Sequence, residues 1–205
     1  MNNQYSEEEY KLIDWFKSNL FNLLAGIFLG FILIFSYKYY NDSIENEQYT
    51  ISQRYQAAIS KSNEQDTVAI LTLSDELEKS NPNNIYTAMT NLYASKILVE
   101  SNNQSDAQQK LNFIIENSDV DEIKTIAKLR LARLYIHQKY FKKAKTLVLS
   151  VPQYEDNPLF NEILGDIEYA NNNIPSARRY YELSLNGDLV PNKRKIIENK
   201  LNSIN

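Results

Sequence analysis

The sequence has no cysteine, one histidine, four glycines and five prolines among its 205 residues. Without cysteine there is no disulfide framework and no thiol chemistry, which fits a periplasmic domain and a cytoplasmic domain equally well. The single histidine, His137, has no cysteine or second histidine with which to complete a metal-ligand set. The glycines form no phosphate-cradling loop. We therefore predict no metal, no cofactor and no enzymatic activity.

Turn-forming residues are too sparse for a sheet, and the long runs of Ala, Leu, Ile, Lys, Glu and Tyr predict an all-α protein. The 22 basic and 26 acidic side chains give a net charge of -4, and no long basic run is present. A nucleic-acid-binding protein normally has a concentrated basic surface, so we predict no nucleic-acid partner. We expect the short basic run at residues 193–195 to be a solvated helix face.

The longest apolar run, LFNLLAGIFLGFILIFSY at residues 20–37, contains no charged side chain. As a helix it would be roughly 27 Å long, close to the roughly 30 Å hydrocarbon core of a bilayer. A core helix of a soluble domain seldom has apolar side chains on every face, and a signal peptide has a basic leader and a shorter apolar run. We predict a transmembrane helix over residues 20–40, between a tail at residues 1–19 and one domain at residues 41–205.

The charges beside the span do not decide its orientation. Lys11 and Lys17 precede it, while Lys38 and Arg54 follow it. The long chain after the span favours a signal anchor that delivers its C-terminal domain across the membrane.

Asn22, Gly26 and Gly30 recur every fourth residue and so share one face of the span. A GxxxG pair lets a second membrane helix approach closely, and an asparagine can hydrogen-bond across such a contact. Glycine is also common in membrane helices that have no partner. We predict this face as a surface for helix packing in the membrane.

Beyond the span, residues 41–60 keep helical spacing without a breaker. Further helices are predicted after a capping Asp66 and over residues 85–99, 106–116, 123–136, 140–149, 159–169, 175–185 and 191–204.

Small residues recur twelve positions apart in successive helix pairs, because antiparallel helices cross closely only where both have small side chains. Three anchor alanines are separated by 37 and 33 residues, near the 34-residue tetratricopeptide period. The pairs are Ser95 and Ala107, Ala132 and Ala144, Gly165 and Ala177, and a degenerate pair of Ala58 and Ile70.

The segments LGDIEYA at residues 164–170 and ARRYY at residues 177–181 resemble a tetratricopeptide repeat, although Glu168 and Ser184 depart from its pattern. We predict a tetratricopeptide-like solenoid of helical hairpins with a C-terminal capping helix. An unrelated helical bundle is the alternative.

The resemblance to tetratricopeptide repeats implies a concave groove lined by the first helix of each pair. Leucines at positions 92 and 129 occupy sites where carboxylate-clamp repeats hold a peptide terminus with polar residues, which argues against that mode. A groove of mixed apolar and basic character suits extended or partly folded chains. The alternative is that these residues only pack helix on helix. The groove residues are Leu92, Tyr93, Lys96, Leu129, Arg130 and Arg133.

The complete layout resembles the YfgM family of Gram-negative bacteria. The resemblance rests on Trp15 and Phe16 before the span, GIFLG at residues 26–30, YKYYN at residues 37–41 and the degenerate repeat domain. It implies an ancillary SecYEG translocon subunit in the inner membrane, with residues 1–19 in the cytoplasm and the repeat domain in the periplasm.

The implied partners are the SecYEG translocon, a membrane-anchored periplasmic chaperone of the PpiD type, exported client chains and the lipid bilayer. The resemblance implies that this subunit helps exported proteins leave the channel. The alternative is a general membrane-tethered scaffold for cell-envelope assembly or signalling.

Overall fold

The computed structural model describes residues 7–63 and 66–204, which contain α-helices, one short 3₁₀ turn and no strand. The all-α prediction is therefore confirmed. Residues 1–6 of the predicted tail lie outside the described residues. The helices are α1 (Glu7–Asn63), α2 (Val68–Ser80), α3 (Ile85–Glu100), α4 (Gln104–Asn117), α5 (Asp121–His137), α6 (Phe141–Leu149), α7 (Pro158–Ala170), α8 (Ile174–Leu185) and α9 (Pro191–Asn202).

The chain divides into two compact units, Met1–Gln53 and Arg54–Asn205. In the first unit, α1 is long and apolar enough to cross a membrane, and the apolar window that meets this criterion is 0% buried. Phe21 and Leu33, for example, are 82% and 71% exposed. A helix so apolar and so exposed is a candidate membrane span, because a core helix of a soluble domain would bury these side chains.

The second unit is a stack of helical hairpins. From α2 to α9 each helix packs against the next one along the chain, and α5 also packs against both α3 and α7. One hydrophobic cluster lies among α3, α4 and α5, and a second lies among α5, α6 and α7. Tyr135 and Leu147 pack against both clusters, so the core continues from one hairpin to the next, as in a solenoid.

The same turn joins the two helices of three successive hairpins. Asn102, Lys139 and Asn172 each have a positive φ of 60–62° just after α3, α5 and α7. Each turn is a Schellman motif, in which the next amide bonds back to the last helical turn. The turns are separated by 37 and 33 residues, as are the anchor alanines. The bonds join Asn103 N to Leu98 O (2.7 Å), Tyr140 N to Tyr135 O (2.8 Å) and Asn173 N to Glu168 O (2.9 Å).

The small residues that were predicted at the hairpin crossings are all buried in the structure. Gly165 lies so close to Tyr181 of α8 that a Cβ atom would be 2.5 Å from the ring. The buried set comprises Ala58, Ser95, Ala107, Ala132, Ala144, Gly165 and Ala177.

Candidate protein-binding groove

A groove with a volume of about 430 Å³ lies between α3, α4 and α5. Its size falls in the usual range of ligand pockets, about 300–1,000 Å³. We call it the α3–α5 groove. It is lined by Ser95, Lys96, Val99, Glu100, Asn102, Gln104, Leu111, Arg130, Arg133, Leu134 and His137.

The local sequence explains why these side chains meet. The side chain of Asn84 accepts a hydrogen bond from Tyr86 N at 2.8 Å and so caps α3, which carries Lys96 and Val99. In α5, Arg130 and Arg133 are three residues apart and share a face. The buried Leu111 and Leu134 lie beneath them, so the groove has an apolar floor and a basic wall.

Arg130 is held against α3 without a carboxylate partner among the described residues. Its Nη1 donates to the carbonyl of Leu92 at 2.7 Å. Burial, followed by repulsion from Arg133, lowers the pKa of Arg130 below its ordinary value. The guanidinium nevertheless remains positively charged, because arginine is not deprotonated in proteins.

Lys96 and Glu100 form an exposed pair at the rim of the groove, with 3.8 Å between Nζ and Oε1. The Lys96 ammonium also lies 5.6 Å from the centre of the Tyr93 ring. An exposed pair of this kind contributes little to stability, so Lys96 remains available to an incoming ligand.

Hydrogen bonds among polar side chains join α4 to the end of α5 beside the groove. A hydrogen bond of 3.1 Å joins Gln104 Nε2 and His137 Nδ1. Gln138 Nε2 donates to Gln104 Oε1 at 2.8 Å, which links α4 to the turn after α5. His137 thus has a positioned amide partner, and no group of three His, Cys, Asp or Glu side chains in the described ranges could hold a metal ion.

Arg133 connects the groove to an ion cluster around the buried Glu162, which also includes Asp166, Lys193 and Lys200. We call it the Glu162 cluster. Its shortest contacts to Glu162 come from α9: Lys193 approaches to 2.6 Å and Lys200 to 2.7 Å, whereas Arg133 Nη2 lies at 3.2 Å. Lys200 also bonds to both oxygens of Asp166 at 2.7 Å. The cluster therefore ties α5, α7 and α9 together.

Glu162 is ionised at neutral pH. Burial alone would raise its pKa, but hydrogen bonds from Lys193 and Lys200, and attraction to both, outweigh burial and hold the pKa below the ordinary value of a glutamate. Because three cations surround this carboxylate, most of its hydrogen-bond acceptor sites are occupied. The Arg133 side chain is 40% exposed and uses Nη2 for its contact with Glu162, so other N–H groups of its guanidinium remain for other partners.

The basic run of α9 is not a solvated face throughout, so that expectation is wrong for two of its three residues. Lys193 turns inward to Glu162, and Arg194 donates to two backbone carbonyls at the turn between α8 and α9. Lys195 is exposed. The inward placement follows because α9 folds back over α7, where an unpaired buried carboxylate would be costly.

The structure places the six predicted groove residues in two settings. Lys96, Arg130 and Arg133 line the groove, and the half-buried Tyr93 contacts Lys96. Leu92 and Leu129 pack against the hydrophobic clusters, as the helix-packing alternative expects. Val99 and Glu100 also line the groove but were not predicted. Helical spacing could have identified them, because they follow Lys96 by three and four residues. The sequence prediction also missed the α4 residue Gln104 and the pairing of Arg133.

Asn22, Gly26 and Gly30 lie on α1, in the other unit. A Cβ atom added at either glycine would meet no neighbouring atom within 4 Å. This face is therefore open in the structure.

The model of the tetratricopeptide repeat-like domain family matches residues 14–205. An ancillary SecYEG translocon subunit of Buchnera aphidicola subsp. Acyrthosiphon pisum (strain APS) is 23% identical over 188 residues, which are 92% of this chain and 95% of the relative. A protein of the same name from Aggregatibacter actinomycetemcomitans is 23% identical over 179 residues, covering 86% and 87% of the two chains. The Escherichia coli (strain K12) protein of that name is 20% identical over 190 residues, covering 93% and 91%.

No solved structure matches the chain. The three relatives confirm the family resemblance that the sequence suggested. Because the family model covers α2–α9 and most of α1, the chain belongs to the tetratricopeptide repeat-like domain family.

Proposed function

We propose that this protein is an ancillary subunit of the SecYEG translocon, held in the inner membrane by α1. The observation that carries the proposal is the extent of the similarity to three relatives of that name. In the Buchnera relative it covers 92% of this chain, so it includes both the apolar helix and the repeats. The protein acts by binding other proteins, and the α3–α5 groove supplies a surface for that purpose.

In this proposal residues 1–19 lie in the cytoplasm, residues 20–40 cross the membrane and residues 41–205 form the periplasmic repeat domain. The domain works beside a membrane-anchored chaperone of the PpiD type and contacts exported chains as they leave the channel. Tethering raises the effective concentration of the groove near the channel, so weak contacts suffice.

Protease digestion of spheroplasts tests this topology. We expect a C-terminally tagged chain to be degraded in spheroplasts and to remain intact in whole cells, because only the first treatment exposes the periplasm. A cytoplasmic marker protein, which must survive in both samples, controls for lysis. Protection of the repeat domain until the inner membrane is permeabilised would place it in the cytoplasm and reject the export role.

The face formed by Asn22, Gly26 and Gly30 is proposed to pack against a helix of the translocon or of the chaperone. Changing all three residues to Leu adds bulk where close helix contact is required and removes the amide, so recovery of SecYEG with the tagged protein is expected to fall several-fold. The measurement is quantitative co-purification from membranes in mild detergent.

The matched control replaces Leu24, Phe28 and Ile32 by other large apolar residues. Each of these lies two residues after a member of the first set, on the opposite side of the same helix. This control is expected to recover SecYEG like the native chain. Undiminished recovery with the first triple variant would remove this face from the interface.

A further inference from the structure

The basic wall of the α3–α5 groove carries more positive charge than the groove itself neutralises. Lys96, Arg130 and Arg133 are cations, and Glu100 is the only carboxylate among the lining residues. The complete chain has a net charge of -4, so a positive groove departs from the overall balance of the protein. Such a local excess favours an acidic ligand.

Arg130 is placed so that a ligand can reach it together with Lys96. Its Nη1 contacts the carbonyl of Leu92, which lies one helical turn before Lys96 on α3. A guanidinium has five N–H donors, and this bond uses one of them. The other donors, unlike those of Arg133, have no carboxylate partner in the part of the chain that the structure describes.

Arg133 adds to the positive field but cannot be fully neutralised by Glu162. The same carboxylate accepts shorter hydrogen bonds from Lys193 and Lys200 than from Arg133. The nearest internal anion is therefore shared by three cations. An external carboxylate in the groove would relieve this imbalance.

The apolar part of the groove limits the choice of ligand. Val99 is 44% exposed at the rim, next to the basic wall and above an apolar floor. A free inorganic anion would leave this apolar surface unused, whereas a peptide can present a carboxylate and an apolar side chain from neighbouring positions.

We propose that the α3–α5 groove binds an extended acidic segment of a partner protein. An Asp or Glu carboxylate of that segment is held by Arg130 and Lys96, and an adjacent apolar side chain packs against Val99. This inference rests on the proposed function in one respect, since it takes the groove as the surface that meets partner chains, and it specifies the chemistry of the segment that binds.

The test measures fluorescence anisotropy of a short labelled peptide that contains Glu and Leu, with both termini blocked, against the full-length protein in neutral detergent. A twin peptide has Gln at every Glu. We expect the acidic peptide to bind about tenfold more tightly than its twin, as a charge-assisted hydrogen bond to arginine allows. Equal binding of the two peptides would overturn the proposal.

Arg130→Gln is expected to weaken binding of the acidic peptide about tenfold and to bring it near the affinity of the twin. Lys96→Gln, which removes only an exposed charge, is expected to cause a smaller loss in the same direction and serves if Arg130→Gln does not fold. The matched control is Lys142→Gln on α6, an exposed lysine outside the groove. An equal loss in the control would indicate general charge attraction and would contradict a defined site.

Two further measurements are needed. The first identifies the source of the anionic group that binds the groove, and the second separates this inference from the proposed function. Displacement of the peptide by phosphatidylglycerol micelles or by inorganic phosphate at similar anion concentration would assign the groove to headgroups or free phosphate and reject an acidic segment. Co-purification of SecYEG with the native chain tests the proposed function separately, because that contact is proposed for the face of Asn22, Gly26 and Gly30 and not for the groove. If the native chain discriminates between the two peptides but does not co-purify with SecYEG, only the proposed function is rejected. If it co-purifies with SecYEG but binds the two peptides equally, only this inference is rejected.

Discussion

Replacing Glu162 by Gln is expected to lower the free energy of unfolding of the repeat domain by about 3 kcal/mol at neutral pH. The side chain of Glu162 is 3% exposed and is the shared partner of Arg133, Lys193 and Lys200. Gln has nearly the same shape but no charge, so the variant leaves Arg133 and Lys193 without a carboxylate partner, while Lys200 keeps Asp166. Breaking a buried ion pair costs about 3–5 kcal/mol, and the lower figure applies because the cations are partly exposed and can regain water.

This cost depends on pH in a defined direction. The lysines hold the pKa of Glu162 in the folded protein below its unfolded-state value, so the unfolded chain binds the proton more readily. The stabilisation by the ionised carboxylate is therefore complete above the unfolded-state pKa and is lost as pH falls through the folded-state pKa. The difference between the native chain and Glu162→Gln should shrink progressively below about pH 4.5.

Urea unfolding of the full-length protein in detergent, followed by circular dichroism, measures both effects. The matched control is Glu198→Gln on α9, an exposed glutamate that should change stability by less than about 0.5 kcal/mol. Lys193→Met should cost clearly less in the Glu162→Gln background than in the native chain, because the two residues are coupled. Equal costs in both backgrounds would show that the Glu162 cluster is not a cooperative unit.

The repeat architecture could be predicted because its determinants are local. Apolar spacing and breakers fix each helix, so the predicted helix over residues 123–136 differs from α5 by two residues at its start and by one at its end. Spacing between small residues then fixes the hairpins, since Ala132 and Ala144 must meet where two helices cross. These signals span a dozen residues and require no knowledge of distant contacts.

The Glu162 cluster could not be predicted in the same way, because its members are far apart in sequence. Lys193 and Lys200 are seven residues apart, two helical turns, and this spacing shows that they share a face of α9. Nothing local indicates that this face turns toward a carboxylate 31 and 38 residues earlier. Leu129 was predicted in the groove but belongs to a hydrophobic cluster for a related reason. Helix α5 packs against α6 and α7 together and so buries more of its surface than a single hairpin would.

The close approach of α7 and α8 yields the second large prediction. Gly165 faces Tyr181, and a Cβ atom at this glycine would lie 2.5 and 2.6 Å from two ring carbons. The ring cannot move away easily, because Tyr181 is buried and its hydroxyl donates to Asp166 at 2.8 Å. Lys200 of the Glu162 cluster also lies 5.9 Å from the ring centre, so displacement of the ring would disturb that cluster as well.

Gly165→Ala is therefore expected to destabilise the repeat domain although alanine is the better helix former. Overpacking in a dense core costs about 3 kcal/mol, and the higher helix propensity of alanine returns about 1 kcal/mol. The net loss of about 2 kcal/mol would appear as a lower urea midpoint with an unchanged slope. In a Tyr181→Val background, which lacks the two ring carbons, the same change should be neutral or stabilising. A loss of similar size in both backgrounds would show that contact with Tyr181 is not the reason for glycine at this position.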